Sequence, residues 1–138
     1  MDLYCDGSST GRGNREGGWG WCLVKDGGVI AFDFGGSASA SNNTMELEAA
    51  IQGLCYLINN NIKEEVTLIS DSQYCLRIAD GTYLPQKNLE PCHLLRKLFI
   101  YTKAEAKWVR GHSGNIGNEI CDRLAKQGKE KYVKIKSS

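Results

Sequence analysis

An α/β domain built on one mixed sheet is the architecture this sequence predicts. Three observations carry the prediction. A strong hairpin signal, Asp26-Gly27-Gly28, joins two strand-like runs near the N-terminus. Helical and strand-like segments then alternate to the end, in the order β-β-β-α-β-α-α-β-α. The chain has 138 residues, 41% hydrophobic and 24% charged, which is the size and mix of one domain with a real core. Antiparallel hairpins followed by alternation imply strands of both senses, with helices on the sheet faces.

Each element follows from local pattern. Residues 3–5 read as a short buried strand ending at Asp6, and residues 7–18 as a turn region rich in Gly, Ser, Arg and Asn. Residues 19–25 and 29–34 are the hairpin strands; Trp19 and Trp21 alternate with Gly20, which points to sheet packing rather than base stacking. Residues 35–41 form a small-residue loop. A helix starts near Asn43, which has capping-box spacing to Glu46, and Leu47, Ala50, Ile51, Leu54, Leu57 and Ile58 recur at helical period. Asn59-Asn60-Asn61 ends it. Residues 66–69 are a strand, with Asp71 at its C-terminal end. Residues 72–79 form a short helix stopped by Asp80-Gly81. After a loop holding Pro85, residues 90–102 form a helix whose apolar face is Leu94, Leu95, Leu98 and Phe99. Residues 106–109 are the last strand. Residues 118–128 form the last helix, with Gly128 as its C-cap. The chain thus divides into one domain, 1–128, and a basic tail, 129–138.

Bulk charge is uninformative at +1, but its distribution is uneven. Residues 1–40 hold three Lys/Arg against five Asp/Glu, whereas residues 103–138 hold nine against four. A basic end suits a polyanion, and it equally suits a solvated helix. Six cysteines lack Cys-x-x-Cys spacing and no secretory pattern opens the sequence, so free thiols and a cytoplasmic location are expected. No apolar run is long enough to span a membrane.

Four carboxylates, each in its own short motif, carry the chemical signal. They are Asp6 in Tyr4-Cys5-Asp6-Gly7-Ser8, Glu46 in Asn42-Asn43-Thr44-Met45-Glu46-Leu47, Asp71 in Ile69-Ser70-Asp71-Ser72-Gln73, and Asp122 in Asn118-Glu119-Ile120-Cys121-Asp122. His112 follows Trp108-Val109-Arg110-Gly111. Each acid has a bland reading: a turn for Asp6, a capping box for Glu46, a helix cap for Asp71, a helix surface for Asp122. Together they also fit a divalent-metal site, which can hydrolyse a phosphodiester. Ligands of open α/β sheets bind beyond the carboxyl ends of strands, where Asp71 sits. Strands lie about 5 Å apart, so acids on neighbouring strands can share metals about 4 Å apart. Glu119 lies on the same helix as Asp122 and can approach the same region. The segment 11–18 is not a P-loop, because it lacks the Gly-Lys-Ser/Thr ending.

Asp-Gly-Ser, Asn-Asn-x-Met-Glu-Leu, Asp-Ser-Gln-Tyr and Gly-His-x-Gly followed by Asn-Glu-x-x-Asp-x-Leu-Ala resemble ribonuclease H, type 1. The motifs stand in that family's order and cover the chain from about Leu3 to Gly128. The resemblance implies a ribonuclease H-like fold, a five-stranded mixed sheet in the order 3-2-1-4-5 flanked by helices. It implies endonucleolytic hydrolysis of the RNA strand of RNA–DNA hybrids, leaving 5′-phosphate and 3′-hydroxyl ends. Two Mg²⁺ ions would be held by Asp6, Glu46, Asp71 and Asp122, with Mn²⁺ as a substitute. His112 would move protons and assist product release. Asn42, Asn43 and Gln73 match residues lining the minor groove, where the 2′-hydroxyl separates RNA from DNA, and Asn14 matches a phosphate contact. The basic helical protrusion of some members is expected to be missing, as is an N-terminal hybrid-binding module. A monomer is expected, with RNA–DNA hybrid as partner, no membrane and no small-molecule cofactor. Two rivals stand beside this reading. Another nuclease or strand-transfer enzyme of the same fold is disfavoured by the Asn-Asn-x-Met-Glu and Gly-His-Ser-Gly segments. A non-catalytic hybrid-binding module is disfavoured because clustered carboxylates only repel phosphate.

Overall fold

The computed structural model describes residues 1–10, 16–38 and 40–137, with side chains through Tyr132. Nine elements follow in the expected order: β1 (Asp2–Ser9), β2 (Gly17–Lys25), β3 (Gly28–Ser37), α1 (Asn42–Asn59), β4 (Thr67–Ser70), α2 (Gln73–Asp80), α3 (Leu89–Thr102), β5 (Glu105–Trp108) and α4 (Ile116–Ser137). The five strands form one sheet in the order β3-β2-β1-β4-β5, as expected. β1 and β2 pair antiparallel, as do β2 and β3, whereas β4 runs parallel to both β1 and β5.

Strand alternation decides which helix covers which face. Leu3 lies beneath Gly53 of α1, and its neighbour Tyr4 lies beneath Gly117 of α4. Adjacent β1 residues point to opposite faces, so α1 and α4 sandwich the sheet. The core between sheet and α1 holds Leu3, Leu23, Leu47, Leu54, Leu57, Leu68 and Leu95, all fully or almost fully buried. Each contributes about 1.5–3 kcal/mol relative to exposure. All six cysteines are free thiols, as the spacing implied; the Sγ atoms of Cys22 and Cys121 lie 3.5 Å apart between β2 and α4.

Several local expectations are corrected. Strand pairing extends into the expected turn and loop segments, so that β1 runs to Ser9, β2 starts at Gly17 and β3 runs to Ser37. The capping box of α1 is Ser41 with Thr44, not Asn43 with Glu46: the Ser41 hydroxyl accepts the Thr44 N–H at 3.1 Å and Thr44 Oγ1 accepts the Ser41 N–H at 2.8 Å. A hydroxyl one turn away closes the box more compactly than a long carboxylate, and Glu46 is released for another use. The buried stripe of α3 is Cys92, Leu95 and Phe99, with Leu94 43% exposed; the helix packs on α1 and α2 along this stripe, so a neighbour of Leu95 faces outward. Finally, Gly128 does not cap the last helix, which runs on to Ser137. A side chain there would collide with the Gly35 carbonyl of β3, so this glycine permits close helix–sheet contact rather than a left-handed turn.

Candidate metal centre and nucleic-acid interface

β1 and β4 are paired in parallel with Tyr4 opposite Ile69. Asp6 and Asp71 each stand two residues further on, at the same end of the sheet. α1 brings the third acid. Gly7 lets the first turn of α1 press on β1, since a side chain there would collide with the backbone of Met45 and Glu46. Carboxylate oxygens of Asp6, Glu46 and Asp71 therefore all lie within 4.8 Å of one another. Asp6 and Glu46 are buried, while Asp71 is half-buried.

The charges in this cluster are held at a cost. Burial raises the Asp6 carboxyl from 3.8 to about 7; a hydrogen bond with Glu46 opposes the rise, the charge of Asp71 adds to it, and the Gly7 N–H, donating at 2.9 Å, opposes it. Burial also pushes Glu46 well above the usual carboxylate range, and the charge of Asp6 adds to that push. Glu46 Oε2 is buried with no hydrogen-bond partner among the described residues. Hard divalent cations take oxygen ligands of this kind. An orphaned buried carboxylate oxygen among repelling acids fits a cation.

Asp122 stands apart from the three. It lies on α4, partly exposed, with its Oδ2 3.0 Å from Lys126 Nζ one turn along the helix. Its charge still reaches the cluster and contributes to the rise at Asp6. Glu119 is half-buried in the first turn of α4. His112 is exposed and adopts a left-handed conformation, φ 54°. Its neighbour Gly111 packs on Asp71, where a side chain would meet Oδ2 at 3.0 Å. The loop that carries His112 is thereby seated against the acids.

The amides flank the acids in two separate clefts. Asn42 and Asn43 line an open cleft of about 450 Å³ with Ser41, Thr44, Lys87 and Asn88. Asn42 Oδ1 accepts from both the N–H and the hydroxyl of Ser9, at 3.1 and 3.0 Å, tying α1 to the end of β1. Gln73 lines a second cleft with Arg77, Asp80 and Trp108. Asn14 lies outside the described residues. Three contacts at the acids have no counterpart in the sequence reading. Asn118 Nδ2 donates to Asp71 Oδ2 at 3.3 Å, and Trp108 Nε1 donates to the Asp71 carbonyl at 3.0 Å. Lys126 pairs with Asp122. Asn118 opens one of the quoted motifs, so its importance had a signal; its target did not.

The RNase H family model matches residues 1–130. The chain belongs to the RNase H family. Among curated relatives, the ribonuclease H of Pseudomonas savastanoi pv. phaseolicola (strain 1448A / Race 6) is 36% identical, covering 99% of this chain and 97% of its own length. The ribonuclease H of Pseudomonas putida (strain W619) is 37% identical over 93% of this chain and 92% of its own. The solved ribonuclease H1 of the halophilic archaeon Halobacterium salinarum NRC-1 superposes with a TM-score of 0.80 at 26% identity, covering 94% of this chain and 97% of that one. LC11-RNase H1, solved with an RNA/DNA hybrid, shares the fold with a TM-score of 0.81 at 20% identity, covering 96% and 98%. The match to RNase H thus spans sheet, helices and all four acids rather than one motif. No described helix is long and apolar enough to cross a membrane.

Proposed function

We propose that this RNase H family member is an endoribonuclease that hydrolyses the RNA strand of RNA–DNA hybrids, leaving 5′-phosphate and 3′-hydroxyl ends. The observation that carries the reading is the convergence of Asp6, Glu46 and Asp71 within 4.8 Å in a chain of this family. The solved hybrid complex of the fold relative LC11-RNase H1 supports the substrate class.

In this reading Asp6, Glu46 and Asp71 hold divalent cations, with Asp122 as a fourth ligand that exchanges Lys126 for a cation. Two Mg²⁺ ions are proposed, and Mn²⁺ can replace them. Bound cations supply Lewis-acid charge that activates water and stabilises the leaving oxygen. The chain's residues do the rest. The acids fix where that charge sits. Gly111 seats the loop of His112, whose imidazole accepts and returns protons at the exposed side of the site. Asn42 and Asn43 on one flank and Gln73 on the other read 2′-hydroxyls of the RNA strand, Asn42 by donating through Nδ2, because Ser9 occupies its Oδ1. Asn14 is assigned a phosphate contact. Glu119, in the first turn of α4, is assigned a supporting role near Asp122. The catalytic domain is residues 1–128, and 129–138 is a basic helical end. The enzyme acts as a monomer.

The test incubates labelled hybrid, duplex DNA and duplex RNA with and without Mg²⁺ and sizes the products. Cleavage of the RNA strand of the hybrid alone, only with Mg²⁺, is expected. Cleavage of duplex DNA, or hybrid binding with no cleavage, would overturn the reading.

A further inference from the structure

Asp71, just past the end of β4, is held by residues distant in the chain in three ways. Trp108 bonds its carbonyl at 3.0 Å, Gly111 packs against its side chain, and Asn118 Nδ2 donates to its Oδ2 at 3.3 Å. Asn118 is only 3% exposed. It sits in the first turn of α4, where Asn115 Oδ1 accepts its backbone N–H at 3.0 Å. Its own Oδ1 is buried with no hydrogen-bond partner among the described residues.

A buried amide with one unmet oxygen is a net cost to folding. An apolar side chain of the same branching would avoid that cost. The one bond the amide makes goes to a carboxylate of the acid cluster, and only a donor can serve there. With the donor turned to Asp71, the amide oxygen must face away, which explains why Oδ1 is orphaned.

We propose that Asn118 is a positioning residue for Asp71. It fixes the rotation of the Asp71 carboxyl before a cation arrives, and it ties β4 to α4, the helix that carries Asp122. Residues that orient metal ligands through hydrogen bonds typically change metal affinity by about 10–100-fold when removed. The proposal rests on the reading of Asp71 as a ligand, and the experiment separates the two.

Asn118→Leu keeps the branching and removes both the donor and the orphaned oxygen. Mn²⁺ binding to the substrate-free protein is measured by calorimetry for wild type, Asn118→Leu, Asp71→Asn and the double variant, and urea unfolding is measured in EDTA. Asn118→Leu is expected to bind Mn²⁺ about 10–100-fold more weakly while unfolding at the same or higher urea. A purely structural residue would not separate those two readouts. In the Asp71→Asn background the same change should cost no further affinity. Mn²⁺ affinity of Asn118→Leu within twofold of wild type, or an equal loss in both backgrounds, overturns the positioning role. Wild-type affinity in Asp71→Asn alone overturns the ligand reading, and this proposal with it. Should Asn118→Leu fail to fold, Asn118→Ala is put through the same four-way comparison with the same criteria.

Discussion

Replacing Asp6 by Asn should make the metal-free protein more stable while destroying its activity. In the absence of cations the folded chain raises the Asp6 carboxyl from 3.8 to about 7. Each tenfold change in proton affinity is worth about 1.36 kcal/mol, so keeping Asp6 ionised works against folding by about 4 kcal/mol. Asn carries no charge but keeps a buried amide whose hydrogen-bonding groups must be met, which returns about 1–3 kcal/mol. A net gain of about 1–3 kcal/mol remains at pH 8. The sign with pH follows from the direction of the shift. Below 3.8 the group is protonated in both states and the penalty is nil. It grows between 3.8 and 7 and is complete above 7. Asp6 and Glu46 titrate as a pair, so the rise is gradual. Urea unfolding in EDTA at pH 4.5 and pH 8 measures the difference. The variant should gain nothing at pH 4.5, where the amide cost of about 1–3 kcal/mol matches or exceeds the small penalty removed. It should gain most at pH 8, and Mg²⁺ should narrow the pH 8 gap by stabilising wild type alone. Equal stability at pH 8, or a gain that does not depend on pH, would refute the claim that the site is electrostatically strained. Hybrid cleavage by the variant should be lost with hybrid binding largely kept, because the swap removes a ligand charge with almost no change in shape.

Three further outcomes are expected. His112→Ala should slow hybrid cleavage without abolishing it, by about 10²–10⁴-fold; activity as low as in Asp71→Asn would make His112 something other than a proton-transfer group. Gln73→Ala should raise KM for hybrid with kcat nearly unchanged, for a loss of about 0.5–1.5 kcal/mol, and an unchanged KM removes Gln73 from the recognition surface. Lys129, whose Nζ lies 3.3 Å from Ser8 Oγ near the site end of β1, is placed to meet a backbone phosphate. Lys129→Ala should flatten the dependence of log affinity on log salt by about 0.7–0.9, and a slope equal to wild type means that it touches no phosphate.

The architecture was legible because its cues are local. The Asp26-Gly27 turn, with φ of 52° and 80°, and the period of Leu47, Leu54 and Leu57 need only neighbouring residues to be read. So do the four acid motifs, and three of their acids do converge. What escaped depends on distance between elements. Whether Ser41 or Asn43 caps α1 turns on which hydroxyl or amide closes the tighter ring. Gly128 reads as a stop signal in isolation and acts as a contact point only because β3 presents Gly35 there. The Asn118–Asp71 and Lys126–Asp122 bonds join side chains whose rotamers the sequence pattern does not encode. Leu94 shares the helical period of Leu95 and Leu98 yet faces outward, because periodicity gives the direction of an apolar face better than its width.

The location of Asp122 on the final helix has a consequence for how the molecule comes into being. Asp6, Glu46 and Asp71 all precede α4 in the chain and are made before it. Asp122 and Asn118 arrive with α4, which packs on β1, β2 and β3. A chain lacking α4 therefore lacks both the fourth acid and the amide that holds Asp71. Completion of the acid set thus waits on the last element of the fold to be made.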